Sequence, residues 1–271
     1  MIPHAFEYER PETVADAVGL LAGSGDGARV LAGGHSLLPM MKLRLASPGL
    51  LVDIGRIPEL RGIRETADGI AIGAMTTHAE VAASEIVRRD CPLLAAAAAG
   101  IGDMQVRARG TIGGALAQAD SHADLPAVLL ALDGEVTAEG PSGSRTIAAG
   151  DLFVGYLTTS LAPDEILTGV RVPKTAGGAY LKFNRRAQDW AIVGVAAIVD
   201  GPGARIGITG AGPKAVRATA AEEAFASGGA EAAAAHAADG LRPVSDTAGS
   251  DEYRKHLAGV LTRRALEQAA G

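Results

Sequence analysis

Ala32-Gly33-Gly34-His35-Ser36 and, about eighty residues later, Thr111-Ile112-Gly113-Gly114 are the stretches from which the fold can be read. Each follows residues that can extend and precedes residues that can turn helical. Glycine at 33 and 34 permits positive φ and the close approach of another backbone. Two such turns meeting in space would present a row of backbone N–H groups with no side chains in the way. A pyrophosphate is held well by amides on a Gly-rich turn and at a helix N-terminus. The pair therefore points to a bound dinucleotide. Ser36 can cap the next helix or donate to a phosphate. His35 can bond a phosphate or a ribose, or simply satisfy its own turn.

Reading outward, the order is strand, turn, helix, strand, the requirement of an α/β unit. The spacing predicts a helix over 11–22, a strand over 29–31, a helix over 37–45 broken at Pro39, and a strand over 50–54. A hairpin is expected over 63–74 around Asp68-Gly69. A helical stretch over 77–101 interrupted at Pro92, a helix over about 124–132, and two or three strands between 135 and 172 follow. Lys174-Thr175-Ala176-Gly177-Gly178 has the composition of a boundary between domains. Beyond it, strands over 180–184, 190–199 and 204–209 form an antiparallel meander. Helices are expected over 216–226, near Glu231 and from Ser250 onward. The last places Tyr253, Leu257, Val260, Leu261 and Ala265 on one apolar stripe, with Arg254, Lys255, Arg263 and Arg264 elsewhere.

Composition limits the function. With 271 residues, 48% of them hydrophobic and 21% charged, the chain has the make-up of a globular protein. A net charge of −6 argues against nucleic acid, which demands a basic face. No apolar run is long enough to span a bilayer, and the first ten residues lack a signal-peptide pattern, so a cytoplasmic protein is expected. The single cysteine, Cys91, excludes an internal disulfide and any Cys-rich iron–sulfur site, and reads as a buried structural thiol. The six histidines show no ligand spacing, so no metal is expected. Gly210-Ala211-Gly212-Pro213-Lys214-Ala215 formally fits a dinucleotide turn. It lacks the following acidic strand, and Pro213 removes an amide, so it reads as structural.

Around the second turn, Arg107 and Arg109 can neutralise phosphate or pair with acids. Asp120 and Asp124 are placed to accept from ribose hydroxyls, and Asp124 can also cap the helix beginning at Leu125. The stretches Ala32-Gly33-Gly34-His35-Ser36-Leu37-Leu38-Pro39 and Gln105-Val106-Arg107-Ala108-Arg109-Gly110-Thr111-Ile112-Gly113-Gly114 closely resemble the FAD-binding subunit of molybdenum hydroxylases. These are the medium chains of aerobic carbon monoxide dehydrogenase and of xanthine-dehydrogenase-type enzymes. The resemblance continues through Ala123-Asp124-Leu125-Pro126, Glu165-Ile166-Leu167, Tyr180-Leu181-Lys182-Phe183-Asn184-Arg185-Arg186 and Trp190-Ala191-Ile192-Val193-Gly194. It reaches the tail Tyr253-Arg254-Lys255-His256-Leu257, so nearly the whole chain is covered.

The resemblance implies an α+β protein. A two-part FAD-binding domain of the vanillyl-alcohol-oxidase (PCMH) type would span 1–174, in halves of about 1–57 and 58–174. A small α/β domain with a three-stranded antiparallel sheet and a helical bundle would span 178–271. It implies a pyrophosphate held by Val30, Leu31, Ala32, Gly33, Gly34, His35, Ser36, Leu37, Thr111, Ile112, Gly113 and Gly114. Ile101 would pack near the cofactor and Asp124 would hold one of its hydroxyls; Leu167 and Lys182 would touch the flavin half. Trp190 would cover the isoalloxazine or else lie in the core. One departure is Ala115, where the family usually has Asn; the polar group is then missing, or Gln118 supplies it. The implied activity is electron transfer: FAD would take electrons from [2Fe-2S] clusters on a small subunit, fed by a large molybdenum-cofactor subunit, and pass them to an external acceptor. A dimer of heterotrimers is the expected assembly. A free-standing FAD oxidoreductase and a flavin-free nucleotide-binding assembly module are the alternatives.

Overall fold

The computed structural model describes residues 2–271. The first unit contains β1 (Glu7–Glu9), α1 (Val14–Ser24), β2 (Ala28–Leu31), α2 (Leu37–Lys42) and β3 (Leu50–Asp53). Its sheet is parallel, with β3 between β1 and β2. Thr13 sets the start of α1, its hydroxyl accepting the Asp16 N–H, so the helix begins three residues later than the expected 11. Ala17, Val18 and Leu21 then pack on Leu50, Val52 and Ile54. Strand β1 buries none of its residues, and for that reason no pattern marks it. Helix α2 passes Pro39 without a break, because Pro39 lies in the first turn, where no intrahelical acceptor exists for an N–H.

The second unit runs β4 (Ile63–Thr66), β5 (Gly69–Gly73), α3 (His78–Ala83), α4 (Glu85–Asp90), α5 (Pro92–Ala99), α6 (Met104–Arg109), α7 (Ile112–Gln118) and α8 (Asp124–Ala131). It continues with β6 (Glu135–Gly140), β7 (Gly143–Ala148), α9 (Ala149–Leu152), β8 (Phe153–Gly155), β9 (Thr158–Thr159) and β10 (Ile166–Val172). The five-stranded sheet has the order β4-β5-β10-β6-β7 and is antiparallel throughout; β8 and β9 form a separate hairpin. The helical stretch expected over 77–101 is cut twice, not once. Ser84 closes α3 and caps α4, its hydroxyl accepting the Val87 N–H, and Cys91-Pro92 makes the second break. Cys91 is fully buried, and burial pushes its thiol up to about 11, as a structural thiol requires. Every residue of α8 is buried, the mark of a helix covered on all sides.

The third unit holds β11 (Ala179–Phe183), β12 (Val193–Asp200), β13 (Gly203–Thr209), β14 (Val216–Arg217), α10 (Thr219–His236) and α11 (Asp251–Ala270). Its antiparallel sheet has four strands, not three. Val216 and Arg217, expected to open a helix, instead pair with Ile208 and Gly207, and α10 starts at Thr219. Strand β12 alternates between two cores. Val193, Val195 and Ala197 pack with Leu257, Leu261 and Ala265 of α11, while Ala196 and Ile198 join the core that contains α8. At Gly207 a Cβ would lie 2.8 Å from the Ala127 carbonyl carbon, so α8 sits directly on β13.

Arg254, expected off the apolar stripe of α11, is nonetheless buried. It is 1% exposed. Its Nη1 donates to the carbonyls of Ile192 (2.6 Å) and Gly210 (2.8 Å), and Nη2 to both oxygens of Asp246 (2.8 and 2.7 Å). Tyr253, expected in the stripe, is instead 39% exposed. Gly210 has φ +77, and a Cβ there would lie 2.9 Å from the Ile192 carbonyl carbon. Its N–H donates to the Ser121 carbonyl, so this turn is structural, as expected. Thr209 Oγ1 also donates to the carbonyls of Ser121 and Ala123, tying β13 to the loop that enters α8.

Candidate FAD-binding cleft

The two glycine turns meet through their backbones. A Cβ at Gly33 would lie 2.9 Å from the Arg109 carbonyl carbon and 3.0 Å from Gly110 Cα, with the Arg109 oxygen nearer still. Only glycine allows that approach. Gly34 follows at φ +77, left-handed backbone that turns the chain into α2. The N–H groups of Gly33, Gly34, His35 and Ser36 find no acceptor among the described residues. His35 Nδ1 lies 3.1 Å from the Gly33 carbonyl, satisfying its own turn, and the Ser36 hydroxyl does not cap α2.

The second turn is built differently from the sequence reading. Thr111 caps α7, its hydroxyl accepting the Gly114 N–H at 3.1 Å. The Ile112 and Gly113 amides donate inward, to the carbonyls of Thr76 (3.0 Å) and Ala74 (2.9 Å). Gly113 is glycine because a Cβ would meet that of Ala74 at 2.5 Å. The free amides therefore belong to the first turn, and the second supplies a surface of Thr111 and Gly114. Arg107 does not face the junction: its Nη1 staples the loop carbonyls of Ile101 (2.8 Å) and Gly102 (3.1 Å).

An open cleft of about 1160 Å³, solvent mouth included, runs from this junction towards β11. Val30, Ala32, Gly33, Gly34, His35, Ser36, Leu37, Ile101, Thr111, Gly114, Asp120, Asp124, Lys182 and Trp190 border it. Leu31, Ile112, Gly113 and Leu167 do not; Ile112 and Leu167 are buried in the core of the second unit. Neither Arg107 nor Arg109 borders it. Ala115 and Gln118 are both on the wall. Trp190 is 60% exposed at the rim, which removes the core alternative for it. The sequence reading missed His78, Gln188 and Asp189, which also border the cleft.

Asp124 is the buried charge of the site. The Tyr180 hydroxyl donates to its Oδ1, and Lys182 Nζ donates to its Oδ2 (3.2 Å) and to the Gly100 carbonyl (2.9 Å). Burial pushes the Asp124 carboxyl up, and the Lys182 charge and both hydrogen bonds only partly restore it. Burial, then the Asp124 charge, raises the Tyr180 hydroxyl well above its ordinary range. Asp124 does not cap α8; Ala123 occupies the cap position, so the carboxylate is committed to the cleft wall. Asp120 accepts the His122 N–H at 2.9 Å. Burial works to raise its carboxyl, but the bonds to His122 outweigh it and hold it low.

Unpartnered amides beside a glycine-only backbone approach fit a pyrophosphate, and the long cleft with carboxylates part-way along fits the rest of a dinucleotide. Among the described residues, no helix is long and apolar enough to cross a membrane. Residues 4–175 match the family described as the FAD binding domain in molybdopterin dehydrogenase. Residues 178–269 match the CO dehydrogenase flavoprotein C-terminal domain. The carbon monoxide dehydrogenase medium chain of Hydrogenophaga pseudoflava is 43% identical over 282 residues, covering 99% of this chain and 98% of that one. A putative xanthine dehydrogenase FAD-binding subunit of Escherichia coli K12 is 31% identical, covering 97% and 95%. The solved carbon monoxide dehydrogenase from H. pseudoflava superposes with a TM-score of 0.96 at 45% identity, over 100% of this chain and 99% of that one. Quinoline 2-oxidoreductase from Pseudomonas putida 86 gives 0.93 at 34%, over 100% and 98%. With both parts matched in order along the chain, this protein belongs to the FAD-containing medium subunits of the molybdenum hydroxylases, an oxidoreductase family.

Proposed function

We propose that this chain is the electron-output subunit of a molybdenum hydroxylase, working with a large molybdenum-cofactor subunit and a small [2Fe-2S] subunit as a dimer of heterotrimers in the cytoplasm. Residues 1–174 act as the cofactor domain and 178–271 as a second domain closing one wall. FAD held in the cleft supplies the conversion between electrons arriving singly and a pair handed to an external acceptor.

The chain's own residues bind and orient. The Gly33–Ser36 amides take the pyrophosphate charge, helped by Thr111. Asp120 and Asp124 accept from cofactor hydroxyls, and Tyr180 and Lys182 hold the Asp124 carboxylate in one orientation. Trp190 covers the open rim and limits water there. Ala115 brings no polar side chain to the wall but leaves the amide cradle untouched, and Gln118 is the wall residue able to supply one.

The observation that carries the reading is the row of unpartnered amides at the backbone junction of the two turns. Co-expression with candidate large and small subunits tests it. The expected result is a co-purifying complex whose flavin absorbance bleaches under the large subunit's reducing substrate and recovers with an acceptor. A chain that binds neither FAD nor partners refutes it. Turnover by the isolated chain would instead favour a free-standing oxidoreductase.

A further inference from the structure

His78 is a buried cleft residue that belongs neither to the glycine turns nor to the cluster around Asp124. It is the first residue of α3, whose start is fixed by a capping box: Thr77 Oγ1 accepts the Glu80 N–H, and Glu80 accepts the Thr77 N–H. The His78 N–H donates to the Gly110 carbonyl at 2.9 Å, anchoring the residue to the second turn. His78 borders the cleft although it is only 4% exposed. The ring lies on Gly110, where a Cβ would meet Cδ2 at 2.8 Å and Nε2 at 3.0 Å. Glycine at 110 thus makes room for the imidazole, as glycine at 33 makes room for the Arg109–Gly110 backbone.

The two ring nitrogens differ. Nδ1 is fully buried and has no partner. Nε2 lies beside Gly110, which itself borders the cleft, so it is the nitrogen we assign to the cleft side. A neutral imidazole has one N–H and one lone pair. With the proton on Nδ1, a donor would be buried unpaired and a lone pair would face the place marked for an anion. With the proton on Nε2, the donor faces the cleft and only a lone pair goes unmet.

We propose that His78 is a pyrophosphate ligand, its neutral imidazole donating from Nε2–H to a phosphate oxygen of FAD at the junction of the two turns. This rests on the cleft being the FAD site. Burial, and secondarily the charges of His35 and Arg107, lowers the ring to about 4, so it remains a single-proton donor at neutral pH. The residue completes the cradle from the side where the Ile112 and Gly113 amides are turned away.

The test uses the full chain, freed of flavin, with FAD binding followed by quenching of flavin fluorescence and folding by thermal melts. His78→Phe keeps the bulk and removes the donor; His78→Gln restores an N–H near the position of Nε2. The expected result is a 10- to 100-fold weaker Kd for His78→Phe, about the worth of one hydrogen bond to a charged group, with most of the affinity recovered in His78→Gln. Equal FAD affinity in His78→Phe and wild type overturns the proposal, as does an equal loss in both variants, which would mean that an N–H at this position is not what holds FAD. Should both variants misfold, two-bond nitrogen–proton spectra of the ¹⁵N-histidine-labelled wild-type chain read the tautomer directly. A proton on Nε2, with a shift of that nitrogen on adding FAD, supports the proposal, and a proton on Nδ1 overturns it. Failure of the wild-type chain itself to bind FAD would refute the cleft assignment instead.

Discussion

Replacing Gly33 by alanine places a methyl carbon 2.9 Å from the Arg109 carbonyl carbon and 3.0 Å from Gly110 Cα, against 3.4 Å or more for ordinary van der Waals packing. The obstructing atoms are backbone, so no rotamer change relieves them. Overpacking of this kind costs about 1–3 kcal/mol. The relaxation open to the chain is separation of the two turns, and that same movement widens the proposed phosphate site. If the turns must close again to hold FAD, the strain returns on binding and weakens Kd by about 5- to 150-fold. Gly19→Ala is the matched control: Gly19 lies on the exposed face of α1 with nothing near its Cβ position. Alanine there should stabilise by about 0.5–1 kcal/mol and leave FAD binding alone. Fluorescence titration with FAD and thermal melts of the flavin-free chains read both quantities. A Gly33→Ala chain that binds FAD within twofold of wild type and melts at the same temperature would refute the backbone-junction argument.

Three further outcomes follow from buried polar groups. Asp124→Ala strips Lys182, whose side chain is 12% exposed, of its buried partner and should cost about 3–5 kcal/mol in urea unfolding. Asp124→Asn keeps an acceptor for the Tyr180 hydroxyl and should cost less; equal losses would show that the hydrogen bond is irrelevant. Arg254→Met orphans the carbonyls of Ile192 and Gly210 and should lower stability by about 2–4 kcal/mol. Arg254→Lys should recover little of it, because a single ammonium cannot reproduce the forked bonds to two carbonyls and Asp246. For His78 the pH dependence has a definite sign. Its folded value, about 4, is below the ordinary 6.5, so the unfolded chain takes up the proton first. Stability is unaffected above pH 6.5 and falls between pH 6.5 and 4 by about 3 kcal/mol in total. His78→Phe should flatten that limb of the pH–stability curve, and an unchanged limb would contradict the buried neutral ring.

The parts of the fold that were legible in the sequence are those where local chemistry and tertiary structure agree. The strand–turn–helix at Gly33, the antiparallel pairing of β12 with β13 and the start of α11 at Ser250 each use the residue type that their backbone demands. Strand β12 reads as a continuous apolar run because both of its faces are covered. The misses have physical reasons. Strand β1 is an exposed strand of three residues, so no hydrophobic face announces it. Arg254 looks like an ordinary solvated helix charge, because the carbonyls and the carboxylate that hold it come from segments no spacing rule connects. Ile112 and Gly113 sit in a Gly-rich motif, yet their amides are consumed by Thr76 and Ala74, a pairing visible only in three dimensions. His78 carried no signal beyond one histidine after a helix cap, and its importance comes from Gly110, which lies thirty-two positions further along the chain.

The anchoring of Asp124 by Tyr180 and Lys182, with Thr209 fastened to the carbonyls of Ser121 and Ala123, sets an order of events during synthesis. The chain emerges with both glycine turns well before β11–β13 are available. Until those strands pair, Asp124 has neither partner and the top of α8 lacks the sheet on which it rests. The backbone junction of the two turns can form early, but the Asp124 wall becomes fixed only when the last third of the protein folds against it. A chain arrested near residue 175 would lack Tyr180 and Lys182, and if Asp124 holds FAD as proposed, such a chain should bind the cofactor more weakly than the full one.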